Sequence, residues 1–439
     1  MSGRHENIRG ALTLATCGLL ASASGQADAA AAEVWDLDSA VLFYSEKDRV
    51  DVVEPSFSAK KDLGDDASVT VHGTVDVMTG ASPNGATTTN TVQTFSGASG
   101  SKTYTVAPNT FPTVDFSDAR VALGVDWETP DSRTERHITG LTGSVESDYL
   151  SLGGSYTRQW DTADRLRTWS AGLGAGLDMV SPTGGAPTAL QRLSTVSNNS
   201  GDGRGEDDEG EGEGGEGDGG DLLNGETKLI LDAMVGVTQV LSPRSLLQLN
   251  YTLSYRDGYL NDPYKVVSLI DAGGATTDYI YESRPGNRLA NVLYLKWVYH
   301  LPEDVFRVSY RYFTDDWGVR STTVDMTYRL ELGRGFFAAP YGRRYRQTAA
   351  DFYRHSLPES AGIPSEVSAD YRLAEMDSTT VGLKFGRADG EDSEWSLLLE
   401  RMVQTGNSHP ADAIGIQNNF DLYPDLEAVI IQLNYFARF

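Results

Sequence analysis

Apolar and polar residues alternate along much of this chain with a period of two. That is the spacing of a strand whose two faces meet different surroundings. In residues 247–256, LQLNYTLSYR, Leu247, Leu249, Tyr251, Leu253 and Tyr255 share one face, and Gln248, Asn250, Thr252, Ser254 and Arg256 the other. Ala119, Val121, Leu123, Val125 and Trp127 repeat the pattern opposite Asp118, Arg120, Gly124 and Asp126. So do Val69/Val71/Val75/Val77, Trp169/Leu173/Leu177, Leu229/Leu231/Val235 and Trp395/Leu397/Leu399. The chain closes on EAVIIQLNYFARF, where Val429, Ile431, Leu433, Tyr435, Ala437 and Phe439 form an apolar stripe. Past the N-terminal segment, helical periodicity is scarce.

Tight turns separate these runs at 241–244 (LSPR), 301–304 (LPED), 333–335 (GRG) and 388–392 (ADGED). Longer polar connections fall near 80–114, 181–225, 257–284, 355–369 and 405–424. Short turns alternating with long loops are the signature of an up-and-down barrel in an outer membrane. A water-soluble sandwich is the competing all-β architecture. The strands favour the barrel, because they reach the ~9–11 residues needed to cross a bilayer. Aromatics near stripe ends (Tyr255, Trp297, Tyr299, Tyr310, Tyr312, Trp395) suit interfacial girdles. The expected fold is all-β: a transmembrane up-and-down antiparallel β-barrel of the outer-membrane type, with about 14–16 strands. A direct count gives about fifteen, but both termini on one side require an even number. The ambiguous regions are 33–62 and 80–114.

Composition adjusts this picture at two places. The 439 residues carry a formal net charge of −26, which argues against nucleic acid as a partner. Ten acids against one Arg lie within 202–221, a run without hydrophobes that reads as a disordered acidic loop insertion. Its near match to a calcium nonapeptide fails at Gly219, so no metal site is expected. The N-terminus, with Arg4, Arg9 and the apolar run 11–23, reads as an export signal over residues 1–29. Cleavage fits after Ala29, with alternatives up to Ala32. The remaining 30–439 would be one barrel domain without Cys, since Cys17 is the sole one.

Several longer motifs carry a family likeness. They are VTQVLSP at 237–243, GYLNDPYKVVS at 258–268, ESRP at 282–285, YRYFTDDWGVRS at 310–321, RRYRQTAADFY at 343–353 and SADYRL at 368–373. Asp76 with GASPNGA at 80–86 adds to them. Through these stretches the chain resembles a family of bacterial outer-membrane proteins catalogued as a numbered domain of unknown function. The resemblance implies an outer-membrane location and names no substrate, reaction or cofactor.

The charged motifs supply candidate sites. Arg307 and Arg311 share a polar face with Ser309, and Asp325 and Arg329 share one with Thr323 and Thr327. Arg344, Arg346, Arg372, Lys384 and Glu400 follow on later segments. All are expected to line the lumen, as a salt-bridge network or as a constriction that selects solutes by sign. GYLNDPYKVVS opens a long connection and offers Tyr259, Asp262, Tyr264 and Lys265 as loop candidates, with Asp315 and Asp316 in a turn. Catalysis finds little support. His72, His137, His300, His355 and His409 lack metal-ligand spacing, and no G-x-S-x-G elbow is present. No catalytic residue, metal or cofactor is therefore expected. The leading reading is a solute channel or an envelope partner-binding component with a charged lumen. The alternative is a barrel enzyme acting on lipid or envelope material through His72 or His300. Expected partners are outer-membrane lipid, the barrel assembly machinery reading Tyr435 and Phe439, and a periplasmic partner. The oligomeric state is left open.

Overall fold

The computed structural model describes residues 34–96, 103–182, 184–193 and 225–439. The expected export segment, 1–29, and the acidic run, 202–221, lie outside the described residues. In chain order the strands begin with β1 (Trp35–Glu46), β2 (Val50–Gly64), β3 (Ala67–Pro83), β4 (Gln93–Ser96) and β5 (Thr103–Val106). Next come β6 (Thr113–Ser132), β7 (Glu135–Val145), β8 (Tyr149–Asp161), β9 (Arg167–Val180), β10 (Glu226–Ser242) and β11 (Ser245–Gly258). These are followed by β12 (Val266–Ile270), β13 (Thr276–Tyr281), β14 (Asn287–His300), β15 (Val305–Asp315) and β16 (Arg320–Gly333). The last are β17 (Phe336–Gln347), β18 (Leu357–Pro358), β19 (Met376–Asp389), β20 (Ser393–Gly406) and β21 (Leu426–Arg438).

Sixteen of them form a closed antiparallel barrel in sequence order, omitting β4, β5, β12, β13 and β18. β21 pairs with β1 to close it, from Asp36↔Arg438 to Glu46↔Ala428. The two ambiguous regions resolve oppositely. Residues 33–62 hold two barrel strands, β1 and β2, divided by a turn in which Asp48 takes φ 58°. Residues 84–112 add no barrel strand, only the β4–β5 hairpin inside a loop. The even count follows.

The expected faces hold. Leu173 is 67% exposed on the outside, and Leu123, Leu141, Leu231, Val235, Leu295, Val381, Leu399, Ile431 and Leu433 are likewise exposed and outward. An apolar surface of this extent suits lipid and opposes water. Exposed Trp127, Trp160, Trp169 and Trp395 sit toward the end that carries the chain termini. The connections at that end are short. Those at the other end include the long connections 259–286, 348–375 and 407–425, together with the described segments 84–96, 103–112 and 184–193.

The hydrophobic core lies outside the barrel wall. Its three buried clusters sit at the loop end. Ala86, Phe95, Val106, Leu193, Val266 and Tyr279 form one, and Val267, Leu269, Ile280, Leu357, Val367 and Ala369 another. Trp317, Val319, Ala350, Phe352 and Leu373 form the third. β12 is buried along its whole length, paired antiparallel with β13 and parallel with β18. The long loops thus fold into a cap with a core of its own.

Candidate functional site

The inward faces of β15, β16, β19 and β20 carry Arg307, Arg311, Asp325, Arg329, Lys384 and Glu400 of the charges predicted for the lumen. Tyr310 points outward and is exposed, so Arg307, Ser309 and Arg311 on alternate positions point inward. Arg307 and Arg311 are exposed despite lying inside the wall, so the interior holds room for water. Asp325 accepts from Tyr341 Oη at 2.7 Å and Ser309 Oγ at 3.3 Å, and pairs with Arg343 Nε at 2.9 Å. Arg329 pairs with Glu331 at 2.7 Å and Glu394 at 3.1 Å, with its guanidinium 3.5 Å from the Phe337 ring centre. Glu400 faces inward beside this group. Lys384 lines a cavity of about 290 Å³ with Asp38, Ser58, Glu394 and Asn434. Across the barrel, Arg120 pairs with Asp76, Lys60 with Glu128 at 3.5 Å and His72 with Asp126 at 3.5 Å. Between the two walls, β7–β10 turn Gly140, Gly153, Gly172, Gly174, Gly176 and Gly236 inward among small polar side chains such as Thr142, Ser155, Thr157 and Ser170.

Three sequence expectations need correction. Arg344 pairs in register with outward Val324, and Arg346 with Thr322, so both point to the lipid side. The inward arginine of that run is Arg343, opposite Asp325. A one-residue change of parity moves a side chain to the other face. Arg372 belongs to no barrel strand; it lies in the short 3₁₀ turn Tyr371–Leu373 of the cap.

That cap holds the densest polar cluster. Arg284 pairs with Glu282 at 2.6 Å and Asp370 at 2.9 Å, and Arg372 with Asp262 at 2.5 Å and Asp370 at 2.6 Å. Ser368 Oγ and the Asp262 backbone N–H both donate to Glu282, at 2.5 Å each. Buried Lys265 donates to the Pro83 carbonyl at the end of β3 and lies 5.8 Å from the Tyr371 ring centre. Three cations thus balance three carboxylates, the condition for burying charge at tolerable cost. Burial pushes the Glu282 carboxyl up to about 7, with Arg284 opposing. Burial also works against the Asp370 charge, yet Arg372, Lys265 and Arg284 hold that carboxyl well below the usual range. Burial lowers Lys265 against the pull of Asp262 and Asp370.

This cluster unites motifs far apart in the chain: Pro83–Asn84, 258–268, 282–285 and 368–373. The Val266 amide donates to Asn84 O at 2.8 Å, and Ser283 and Val367 exchange backbone bonds at 2.9 and 2.8 Å. At Gly85 (φ 93°) a Cβ would lie 2.5 Å from Val266 O, so that approach requires glycine. Tyr264 Oη donates to Asp148 in the β7–β8 turn at 2.5 Å, while the buried Tyr259 hydroxyl has no hydrogen-bond partner among the described residues. Asp315 pairs with Arg288 at 2.5 Å, and the Arg288 guanidinium lies 4.4 Å from the Trp317 ring centre. Asp316 accepts from the Leu289 amide at 3.0 Å. Contacts to β3, β7–β8, β10, β14 and β15 spread the cap across the barrel mouth. Sequence reasoning missed Glu282, Arg284, Arg288 and Asp370 as site residues. Glu282, Arg284 and Asp370 lay in quoted motifs and Arg288 just beyond one, but nothing local joined them.

Of the enzyme candidates, His72 gains the carboxylate of Asp126 and no serine. His72 faces Ser58 across β2–β3, but its Nε2 leans over Gly124 on β6, where a Cβ would be 2.1 Å away. No hydrogen bond links Ser58 to His72 among the described residues. His300 ends β14. Asp118/Glu146/Asp148 and Asp131/Glu135/His137 each gather three possible metal ligands. Asp148 is taken by Tyr264, and Glu135 by Arg158. At the seam, Trp35 and Phe439 exchange backbone bonds at 2.8 and 3.0 Å, with Tyr435 exposed on the outer face.

A family model described as "Protein of unknown function (DUF3570)" matches residues 9–437. No curated protein matches the chain. Among solved structures, the chain is similar to OccK5 (OpdH) of Pseudomonas aeruginosa, at 8% identity over 93% of this chain and 98% of that one, with a TM-score of 0.39. It is similar to outer-membrane expressed OmpT of Vibrio cholerae at 8% identity over 94% and 100%, TM-score 0.39. A bacterial polysaccharide outer membrane secretin gives 9% over 92% and 98%, TM-score 0.41.

Proposed function

The chain belongs to the family of proteins of unknown function DUF3570, and from that premise we propose that it is a solute channel of the bacterial outer membrane with a charged, water-filled lumen. One observation carries the reading. Arg307, Arg311 and Arg343 point into the barrel and are exposed there, while the outer face carries a broad band of exposed apolar side chains. Inward charges that keep their water need an aqueous space, and outward Leu and Val need lipid. The salt bridges of Asp325, Arg343, Arg329 and Glu394 stiffen one wall and charge it. Outer-membrane insertion would proceed through the barrel assembly machinery, with Tyr435 and Phe439 on the closing strand as its address.

Purified protein in planar lipid bilayers tests the channel. Discrete conductance steps are expected, and changing both Arg307 and Arg311 to Gln should shift ion selectivity toward cations. Silent bilayers containing verified folded barrel would remove the channel reading. A second reading, a partner-binding component, is favoured by an opening of about 670 Å³ at the terminal end, bounded by Asp36, Lys60, Glu128, Arg136 and Arg438. A periplasmic partner entering there would protect Arg136 from chemical modification.

A further inference from the structure

Arg344 and Arg346 point outward, and they have company. Thr314 on β15 is the register partner of Arg320, and outward Val381 and Val429 flank Arg401. Arg320 opens β16, Arg346 stands one residue from the end of β17, and Arg344 three. Arg401 lies five residues from the end of β20. Given the slope of strands in a barrel, these positions form an arc on the outer wall at the loop side of the apolar band. On that side of the band, the described strands show no other outward-facing Lys or Arg.

Two carboxylates enter the arc. Asp377 pairs with Arg344 at 2.8 Å and Arg346 at 2.9 Å, and Glu427 with Arg401 at 2.5 Å. Arg320 has no carboxylate partner among the described residues. Four guanidinium groups against two carboxylates leave positive charge in excess. The Arg346 side chain is 69% exposed and that of Arg401 62%. Arginines on a lipid-facing wall are costly unless an anion meets them. On the same face, Val324 and Val381 lie beside Arg344 and Arg401, and Met326 and Leu383 follow toward the middle of the wall, all exposed. A ligand suited to this surface has phosphate above and acyl chains below, and Arg binds phosphate oxygens in bidentate fashion.

We propose that the outer wall of β16–β20 binds a phosphorylated lipid headgroup of the outer leaflet, with Arg344, Arg346, Arg320 and Arg401 holding the phosphate and the adjoining apolar stripe its chains. The inference rests on the membrane placement proposed above and is independent of whether the lumen conducts. The charge excess favours a membrane lipid over a neutral surfactant, and the apolar stripe favours it over a free anion.

The test uses the full chain refolded in a neutral detergent, with diphosphoryl lipid A as the probe and native mass spectrometry as the readout. Wild-type barrel should retain the probe, and dephosphorylated lipid A at least tenfold less. Arg344→Gln with Arg346→Gln should lose at least tenfold in retention, and the paired Arg→Lys changes should restore part of it. Both variants should keep the heat-modifiable migration of a folded barrel and wild-type bilayer conductance, which separates lipid binding from the channel reading. Millimolar inorganic phosphate should not displace the lipid. Full displacement would mean a free-anion site. Equal retention by the Gln variant, or of the dephosphorylated probe, would overturn the proposal.

Discussion

Glu282 shows how a single buried carboxyl can tune the cap. It meets Arg284 and accepts from Ser368 and the Asp262 amide, with Asp262 and Asp370 as like charges nearby. Its carboxyl is pushed up to about 7 from an ordinary 4.5, so the folded cap holds a proton more tightly than the unfolded chain. That contribution is complete below about pH 4.5 and is lost as pH rises through about 7. Asp370 acts in the opposite sense: its lowered pKa stabilises above the ordinary carboxylate range, and that share is lost in acid. The cap should therefore be firmest in mildly acidic solution. Hydrogen exchange of the 265–270 and 367–373 amides should slow, after correction for intrinsic rates, on going from about pH 8 to about pH 5.5. In Glu282→Gln, whose single amide oxygen can still accept from the Asp262 amide while its NH2 faces the Ser368 hydroxyl oxygen, the slope should vanish. The full effect is bounded at about 3.5 kcal/mol, from about 1.4 kcal/mol per pKa unit. An unchanged slope in the Gln variant would assign the titration to another group.

At the scale of elements, the β15–β16 turn shows what pins the cap to the wall. Asp315 Oδ1 accepts from the Trp317 and Val319 amides at 3.1 and 2.9 Å, and Trp317 packs edge-on against Phe352 at 5.2 Å. Gly318 takes φ 83°, and a Cβ there would lie 2.3 Å from Asp351 Oδ1. Gly318→Ala should cost roughly 1–3 kcal/mol of local stability through backbone strain and this clash. Trypsin should then cut the 348–375 loop faster while the barrel keeps its heat-modifiable mobility; cleavage at the wild-type rate would refute the pin. The Asp-Asp-Trp-Gly sequence was legible as a turn because Gly and Asp mark turns locally. Strand faces such as 247–256 were legible for a similar reason: lipid on one side and water on the other impose strict alternation. The adjacent Arg343, Arg344 and Arg346 lacked that signal, since a run with arginines at both parities does not declare its face. Arg372 follows a stretch without alternation, and only the folded loop shows it in a 3₁₀ turn beside Asp262, 110 residues away. The Glu282–Arg284–Asp370 cluster was illegible for the same reason. Its contacts are long-range, and no local pattern encodes them.

For the whole molecule, the proposed channel would have to lead past a buried core that sits at the barrel mouth. An ordinary soluble domain buries its apolar side chains centrally, whereas here the centre is polar and the buried clusters lie at the mouth. The cap hangs from several strands. Lys265 reaches the end of β3, Tyr259 N bonds Thr227 O at 2.9 Å on β10, and Tyr264 reaches the β7–β8 turn. A load shared this way makes the cap one unit rather than a set of independent loops, with the 348–375 segment as its centre. That segment supplies β18, Val367, Ser368, Asp370 and Phe352 to two hydrophobic clusters and to the ion-paired group. Replacing residues 349–374 by a short Gly-Ser turn should therefore release the cap without touching β17 or β19. The barrel closes through its own strand pairs, Gln347↔Met376 among them, so it should still fold. Single-channel conductance should rise, because the loops that span the mouth lose their common anchor. Wild-type conductance in this variant, with folded barrel confirmed by heat-modifiable migration, would show that the cap does not set the resistance. The limiting section would then lie deeper, beside the wall patch of Arg311, Asp325 and Arg343 on β15–β17, and the matching variant would be Arg343→Gln.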